Sequence, residues 1–111
     1  MEQSTITIDV HLDDNKIPHQ IRWNATQSNS AEQQDAKAMM ISFWDDKERA
    51  ALRIDLWTKE MMVDEMADFY YQTMMTMADT FERATHQEEL VGEMKTFAKN
   101  FYTKFKKSQE Q

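Results

Sequence analysis

The chain has 111 residues, of which 41% are hydrophobic and 30% charged, and its formal net charge at pH 7 is −7. A negative field of this size repels phosphate groups, which argues against nucleic acid and anionic membranes as partners. The chain contains no cysteine, which excludes disulfides, thiolate catalysis and cysteine-based zinc sites.

The length is sufficient for one hydrophobic core. We therefore expect residues 1–108 to form a single α+β domain and residues 109–111 to be a disordered tail. Residues 1–30 show no signal-peptide pattern, and no apolar run approaches the roughly 18 residues that span a bilayer. The sequence therefore predicts a cytoplasmic protein without membrane insertion.

The first predicted element is a β-hairpin. Apolar and polar side chains alternate strictly over Thr5–Leu12, which is the period of a half-buried strand. Asp13–Lys16 has the composition of a turn, and Ile17–Asn24 is predicted as the second strand. A loop of these four residues places Ile8 opposite Ile21, with all apolar partners on one face.

A polar loop and a second hairpin follow. Residues 26–35 contain no large apolar side chain, so we expect an exposed, mobile loop. Alternation then resumes on both sides of the turn Asp46–Arg49, which pairs Ile41 with Ile54. The two hairpins together predict a four-stranded antiparallel sheet with one apolar face.

Two helices complete the chain. Thr58 is predicted to cap the first helix, which carries apolar residues from Met61 to Arg83 over an arc wide enough to contact two surfaces. Thr85–Glu88 matches a capping box and is predicted to open the second helix. The predicted order is ββββαα, an α+β fold in which the two C-terminal helices cover one face of the sheet.

Two tryptophans provide the clearest candidate for a binding surface. The predicted register places Trp44 and Trp57 on the face of the second hairpin opposite its aliphatic residues, together with Arg53 and Asp55. Aromatic and arginine side chains are the usual anchors of protein interfaces. The alternative is that the loop at residues 26–35 covers both tryptophans and buries them.

Acidic side chains recur along the first predicted helix. Asp64 and Asp68 are four residues apart and therefore share a face. A solvated helical face is the simpler interpretation, and the functional alternative is an acidic patch that docks a basic partner. We include both residues among the predicted protein-binding residues.

Catalytic and cofactor sites are not indicated. His11 and His19 are predicted on opposite faces of the first hairpin and His86 at a helix start, so they do not form the set of three or four ligands that zinc requires. No nucleophile motif and no phosphate-binding loop is present. We therefore expect no metal, no cofactor and no enzymatic activity.

The central part of the chain resembles a known family. Ala38–Thr85, and most of all LRIDLWTKEMMVDEM at Leu52–Met66, is similar to the gliding motility-associated GldC proteins of gliding bacteria, as is HLDD at His11–Asp14. The resemblance implies a small soluble protein associated with gliding motility, without an assigned enzymatic activity, and it implies no particular site residues.

The leading hypothesis is a non-catalytic accessory protein that binds another protein and is associated with the motility and linked secretion apparatus. A chaperone that holds an exported client is a second hypothesis, based only on analogy of fold. A small-ligand-binding protein or enzyme with a pocket between sheet and helices is the alternative from another class. A purely structural homo-oligomer is a third possibility.

Overall fold

The computed structural model of the chain describes residues 2–26 and 32–110. Within these ranges it contains five strands and two helices, in the order β1 (Ile6–Leu12), β2 (Pro18–Ala25), β3 (Gln34–Ala36), β4 (Ala38–Asp45), β5 (Ala50–Trp57), α1 (Val63–Thr85) and α2 (Glu88–Ser108). All strand pairs are antiparallel. The predicted α+β class with two C-terminal helices is therefore confirmed.

The chain divides into two compact units, Met1–Met61 with the strands and Met62–Gln111 with the helices. The prediction that the helices cover one face of the strands stays a prediction. The same holds for a single domain over residues 1–108 with a tail at residues 109–111.

The predicted single four-stranded sheet is wrong, because the strands form a three-stranded sheet, β1–β2–β3, and a two-stranded sheet, β4–β5. The missed strand β3 begins in the segment predicted as an exposed loop and ends one residue beyond it, and it pairs with the second edge of β2. Backbone hydrogen bonds hold β3 against β2. An ion pair between Arg22 Nε and Asp35 Oδ1, 3.2 Å apart, supports this pairing. The strand therefore leaves no apolar pattern in the sequence. Residues 27–31 of the predicted loop lie outside the described residues.

The register of the first hairpin differs from the prediction by two residues, since Ile8 lies opposite Trp23 rather than Ile21. The loop is one residue longer than predicted, because Leu12 pairs with Pro18. The Asp13 carboxylate accepts the N–H groups of Asn15 and Ile17 within this loop, at 2.8 and 3.0 Å. A bulge at His19 adds the second residue. For Ile6–His11 the shift of two keeps each side chain on its predicted face. At the end of the ladder the shift is one, so Pro18 takes the position opposite Leu12 that was predicted for Ile17.

The second hairpin has the predicted register. Phe43 lies opposite Leu52 and Ile41 opposite Ile54, and the turn occupies the predicted residues 46–49. The Asp45 carboxylate accepts the backbone N–H of Lys47 at 3.0 Å, which stabilises the turn.

Thr58 does not cap α1, contrary to the prediction. Its side chain is buried and its N–H donates to the carbonyl of Lys37 at 2.8 Å, which continues the β4–β5 ladder by one pair. The next residue, Lys59, forms an ion pair with Asp13 in the first hairpin loop. The hydrogen bond from Lys59, assisted by the N–H of Ile17, lowers the pKa of Asp13 to about 2. These contacts fix the end of β5 to the first sheet.

α1 begins at Val63, where the Glu65 carboxylate accepts the N–H of Met62 at 3.0 Å. The predicted capping box at Thr85–Glu88 is wrong, because Thr85 is the last residue of α1. His86 follows in the left-handed conformation, with φ of 58°, and its N–H donates to the Glu82 carbonyl at 2.8 Å. The chain then turns directly into α2.

The two helices form an antiparallel hairpin. The rings of Tyr71 and Tyr102 stack with centroids 4.8 Å apart, and Lys95 pairs with Asp79 at 2.8 Å. The buried residues of the two helices are small, which is typical of closely packed helices. They are Ala67, Ala78, Val91 and Ala98.

Candidate interaction surface

The second hairpin brings four of the six predicted protein-binding residues onto one face. Successive side chains of a strand point to opposite faces, and side chains directly opposite each other in a pair of strands share a face. Trp44 lies opposite Ala51, so it shares a face with the odd-numbered residues of β5. These include Arg53, Asp55 and Trp57. We call this surface, which also includes Met40 and Ser42, the tryptophan face.

Both tryptophans of this face are exposed. The exposed fraction is 60% for Trp44 and 58% for Trp57, so the alternative in which a loop buries them does not hold for the described residues. Trp44 lies opposite Ala51 and Trp57 opposite Ala38, at the two ends of the hairpin. Six residues of strand separate the two ends, a distance of roughly 20 Å. The tryptophans are therefore two separate anchors rather than one cluster.

An ion pair occupies the middle of the tryptophan face. The Arg53 guanidinium donates two hydrogen bonds to the Asp55 carboxylate, at 3.1 Å from Nε and 2.8 Å from an Nη nitrogen. The two side chains are 45% and 42% exposed, so the pair adds little to stability. Its bidentate geometry does fix the orientation of the guanidinium.

Arg49 extends the tryptophan face and was missed by sequence reasoning. Its guanidinium carbon lies 5.4 Å from the centroid of the Trp44 ring, which is a cation–π distance. Arg49 is the last turn residue and has a φ of 53°. The signal that could have found it is its position next to the strand end, across the turn from Trp44.

The opposite face of the same hairpin is apolar and also exposed. Phe43 is 63% exposed, Leu52 52% and Ile54 49%. A two-stranded hairpin is marginally stable in water by itself. Exposed apolar side chains on both faces therefore mark this hairpin as a surface that another protein segment can cover.

Asp64 and Asp68, the other two predicted residues, lie in the first two turns of α1, in the helical unit. Asp64 is exposed and Asp68 half-buried. Acidic side chains at the start of a helix interact favourably with its dipole, which gives Asp64 a structural role. Their role in binding stays a prediction.

The three histidines lie on separate elements. His11 is in β1, His19 at the bulge of β2, and His86 between the helices. In residues 2–26 and 32–110 no group of three or more histidine, aspartate or glutamate side chains has the arrangement of a metal site. Neither described helix has the length and apolar character needed to cross a membrane.

Residues 18–107 match the profile of a family described as gliding motility-associated protein GldC-like. The match includes the β4–β5 hairpin with the tryptophan face and nearly all of both helices. The resemblance seen in Ala38–Thr85 is therefore confirmed. No curated protein and no solved structure matches the chain.

Proposed function

We propose that this chain, which belongs to the family of gliding motility-associated GldC-like proteins, is a non-catalytic accessory protein that acts by binding another protein. The observation that supports the proposal is the exposure of Trp44 and Trp57, 60% and 58%, on one face of a two-stranded hairpin. The predicted cytoplasmic location belongs to the same proposal.

The chemistry of the tryptophan face defines the partner that it fits. Each indole offers a large apolar surface with one N–H donor, and tryptophan is among the residues that contribute most to binding energy in protein interfaces. Arg53 and Asp55 neutralise each other between the two anchors. With a net charge of −7 on the chain as a whole, the partner is expected to have an apolar patch with basic surroundings.

The test is complementation of a gliding bacterium from which the chromosomal copy has been deleted. We expect a double variant, Trp44→Ala with Trp57→Ala, to be present at the wild-type level and to restore cell movement poorly. The comparison variant is Phe43→Ala with Leu52→Ala, which removes similarly exposed side chains from the opposite face of the same hairpin and so shows which of the two faces the partner covers.

A photo-crosslinking amino acid at Ser42, which is exposed in the middle of the tryptophan face, identifies what lies against it. We expect an adduct with one protein in wild-type background, and its loss when both tryptophans are replaced. Full motility and an unchanged adduct with the double tryptophan variant would refute the proposal. If the only adduct joins two copies of the chain, the tryptophan face binds a second copy and not a different protein.

A further inference from the structure

Among the described residues, β5 has a partner strand along one edge only, which is β4 in the two-stranded sheet. The N–H of Thr58 donates to Lys37, so even-numbered residues of β5 bond towards β4. Hydrogen-bonding groups alternate along a strand, so the odd-numbered residues direct their N–H and C=O groups outward. These are Ala51, Arg53, Asp55 and Trp57.

The sequence of β5 is complementary to itself about Ile54. Read outward from this residue, Arg53 is matched by Asp55, Leu52 by Leu56, and Ala51 by Trp57. The order therefore places opposite charges, two leucines, and a small with a large side chain at equal distances from the centre.

We propose that a second copy of the chain pairs with β5 in antiparallel orientation, with Ile54 opposite Ile54 of the second copy. The two-fold axis then passes between the two isoleucines, which form a non-hydrogen-bonded pair. Arg53 lies opposite Asp55 of the second copy and hydrogen-bonds with it along the backbone. The result is a continuous four-stranded sheet in the order β4, β5, β5, β4.

Charge selects this register over its neighbours. Only odd-numbered residues direct their N–H and C=O groups outward, so an odd-numbered residue of one copy must lie opposite an odd-numbered residue of the other. In the neighbouring registers, the residue opposite a given position therefore changes by two. A shift in one direction puts Arg53 opposite Arg53, and a shift in the other puts Asp55 opposite Asp55. Like charges directly opposite each other destabilise an antiparallel pair, whereas opposite charges stabilise it. The proposed register is the one in which two opposite-charge pairs form.

The shapes of the side chains agree with the same register. Trp57 of one copy lies opposite Ala51 of the other, which leaves room for the indole. Trp44 already lies opposite Ala51 within the chain. Each outer row of the tryptophan face then alternates large and small residues across the four strands.

Charged side chains on an edge strand commonly protect it against pairing. Arg53 and Asp55 do not act in this way towards a second copy, because their signs are opposite and their positions are symmetric about Ile54. The proposal depends on β5 alone and is independent of the partner-binding function. If both hold, the dimer carries two tryptophan faces side by side.

Cysteine crosslinking tests the register, since the chain has no cysteine of its own. In the proposed dimer the two Cα atoms of residue 54 are about 4.5 Å apart, which lies within the range of a disulfide. We expect Ile54→Cys to form a disulfide-linked dimer under mild oxidation. Leu52→Cys is the matched control, because it is on the same strand and face with 52% exposure against 49%.

The two copies of residue 52 are separated by four residues of strand in this register, or about 14 Å, so Leu52→Cys is expected to remain uncrosslinked. A mixture of Leu52→Cys and Leu56→Cys chains is expected to crosslink, because these residues are opposite each other. Equal crosslinking of Ile54→Cys and Leu52→Cys, or none with Ile54→Cys, overturns the proposal.

Charge variants test the pairing without a covalent bond. Arg53→Asp and Asp55→Arg each place like charges opposite each other, and we expect each to raise the dimer dissociation constant about tenfold or more in low salt. Mixing the two variants restores both opposite-charge pairs, so a heterodimer with the wild-type dissociation constant is expected in sedimentation equilibrium. Each variant also loses the Arg53–Asp55 ion pair within its own chain, and mixing does not restore that pair. The rescue would therefore report contacts between the two copies. A monomeric mass for the wild type at all concentrations overturns the proposal.

Discussion

Replacing Ile21 by alanine tests the core of the three-stranded sheet. Ile21 is 1% exposed and lies in the middle strand, between Val10 of β1 and Ala36 of β3. The substitution removes three buried carbons, and at about 0.8 kcal/mol for each the lost transfer free energy is about 2.4 kcal/mol. The cavity left behind adds to this cost. We therefore expect the free energy of unfolding to fall by about 3–4 kcal/mol, within the range observed for such truncations.

The measurement is urea unfolding followed by circular dichroism at one protein concentration. Ile6→Ala is the control, because it makes the same change in β1 at a side chain that is 71% exposed. A surface substitution of this kind changes the free energy of unfolding by about 0.5 kcal/mol or less. Equal losses for the two variants would show that Ile21 does not lie in a packed core.

Two further predictions concern the helical hairpin and the loop of the first sheet. Ala78 is fully buried, so Ala78→Leu is expected to overpack the site and to lower the free energy of unfolding by about 1–3 kcal/mol. The same change at the exposed Ala84 is the control, and equal effects in thermal unfolding would contradict close packing at Ala78. The pKa of Asp13 is lowered from 3.8 to about 2, chiefly by the hydrogen bond from Lys59. A carboxylate whose pKa is lowered in the folded state stabilises the protein above the ordinary pKa, and this contribution is lost as the pH falls through about 2. We expect Asp13→Asn to lower the melting temperature at neutral pH and to approach the wild type as the pH falls below about 4. A difference that does not depend on pH would show that the charge of Asp13 makes no contribution.

The second hairpin and its tryptophan face could be predicted from sequence, because apolar residues alternate up to both sides of a polar turn. Ile41 and Ile54 lie at equal distances from residues 46–49, so pattern and turn length require the same register. Trp44 and Trp57 are each three positions from one of these isoleucines, so the alternation of side chains along a strand places both tryptophans on the opposite face.

The first hairpin shows what hydropathy does not determine. The faces of Ile6–His11 were predicted correctly, whereas the register and the face of Pro18 were not. The Asp13 side chain accepts two backbone N–H groups in a loop that is longer than the polar run suggests. The bulge at His19 adds another residue. Neither feature changes the order of polar and apolar residues, so the pattern cannot report them.

Local signals were also overridden by pairing elsewhere in the chain. Gln34–Ala36 has no large apolar side chain, and it becomes a strand because β2 offers an unpaired edge. Thr58 has the residue type of a helix cap, but its N–H completes a pair with Lys37. Both outcomes depend on which backbone groups need a partner, and a sequence pattern does not specify this.

The exposure of both faces of the β4–β5 hairpin connects its stability to association. Phe43 on one face and Trp44 on the other are each at least 60% exposed, and a hairpin of two strands is marginal by itself in water. A protein that covers either face binds the folded hairpin and not the unfolded chain, so it raises the free energy of unfolding according to its concentration and affinity. A second copy paired with β5 has the same effect, and the melting temperature then rises with the concentration of the chain itself. Binding and folding of this hairpin are therefore coupled, and substitutions on its surface are expected to change stability only when the partner is present.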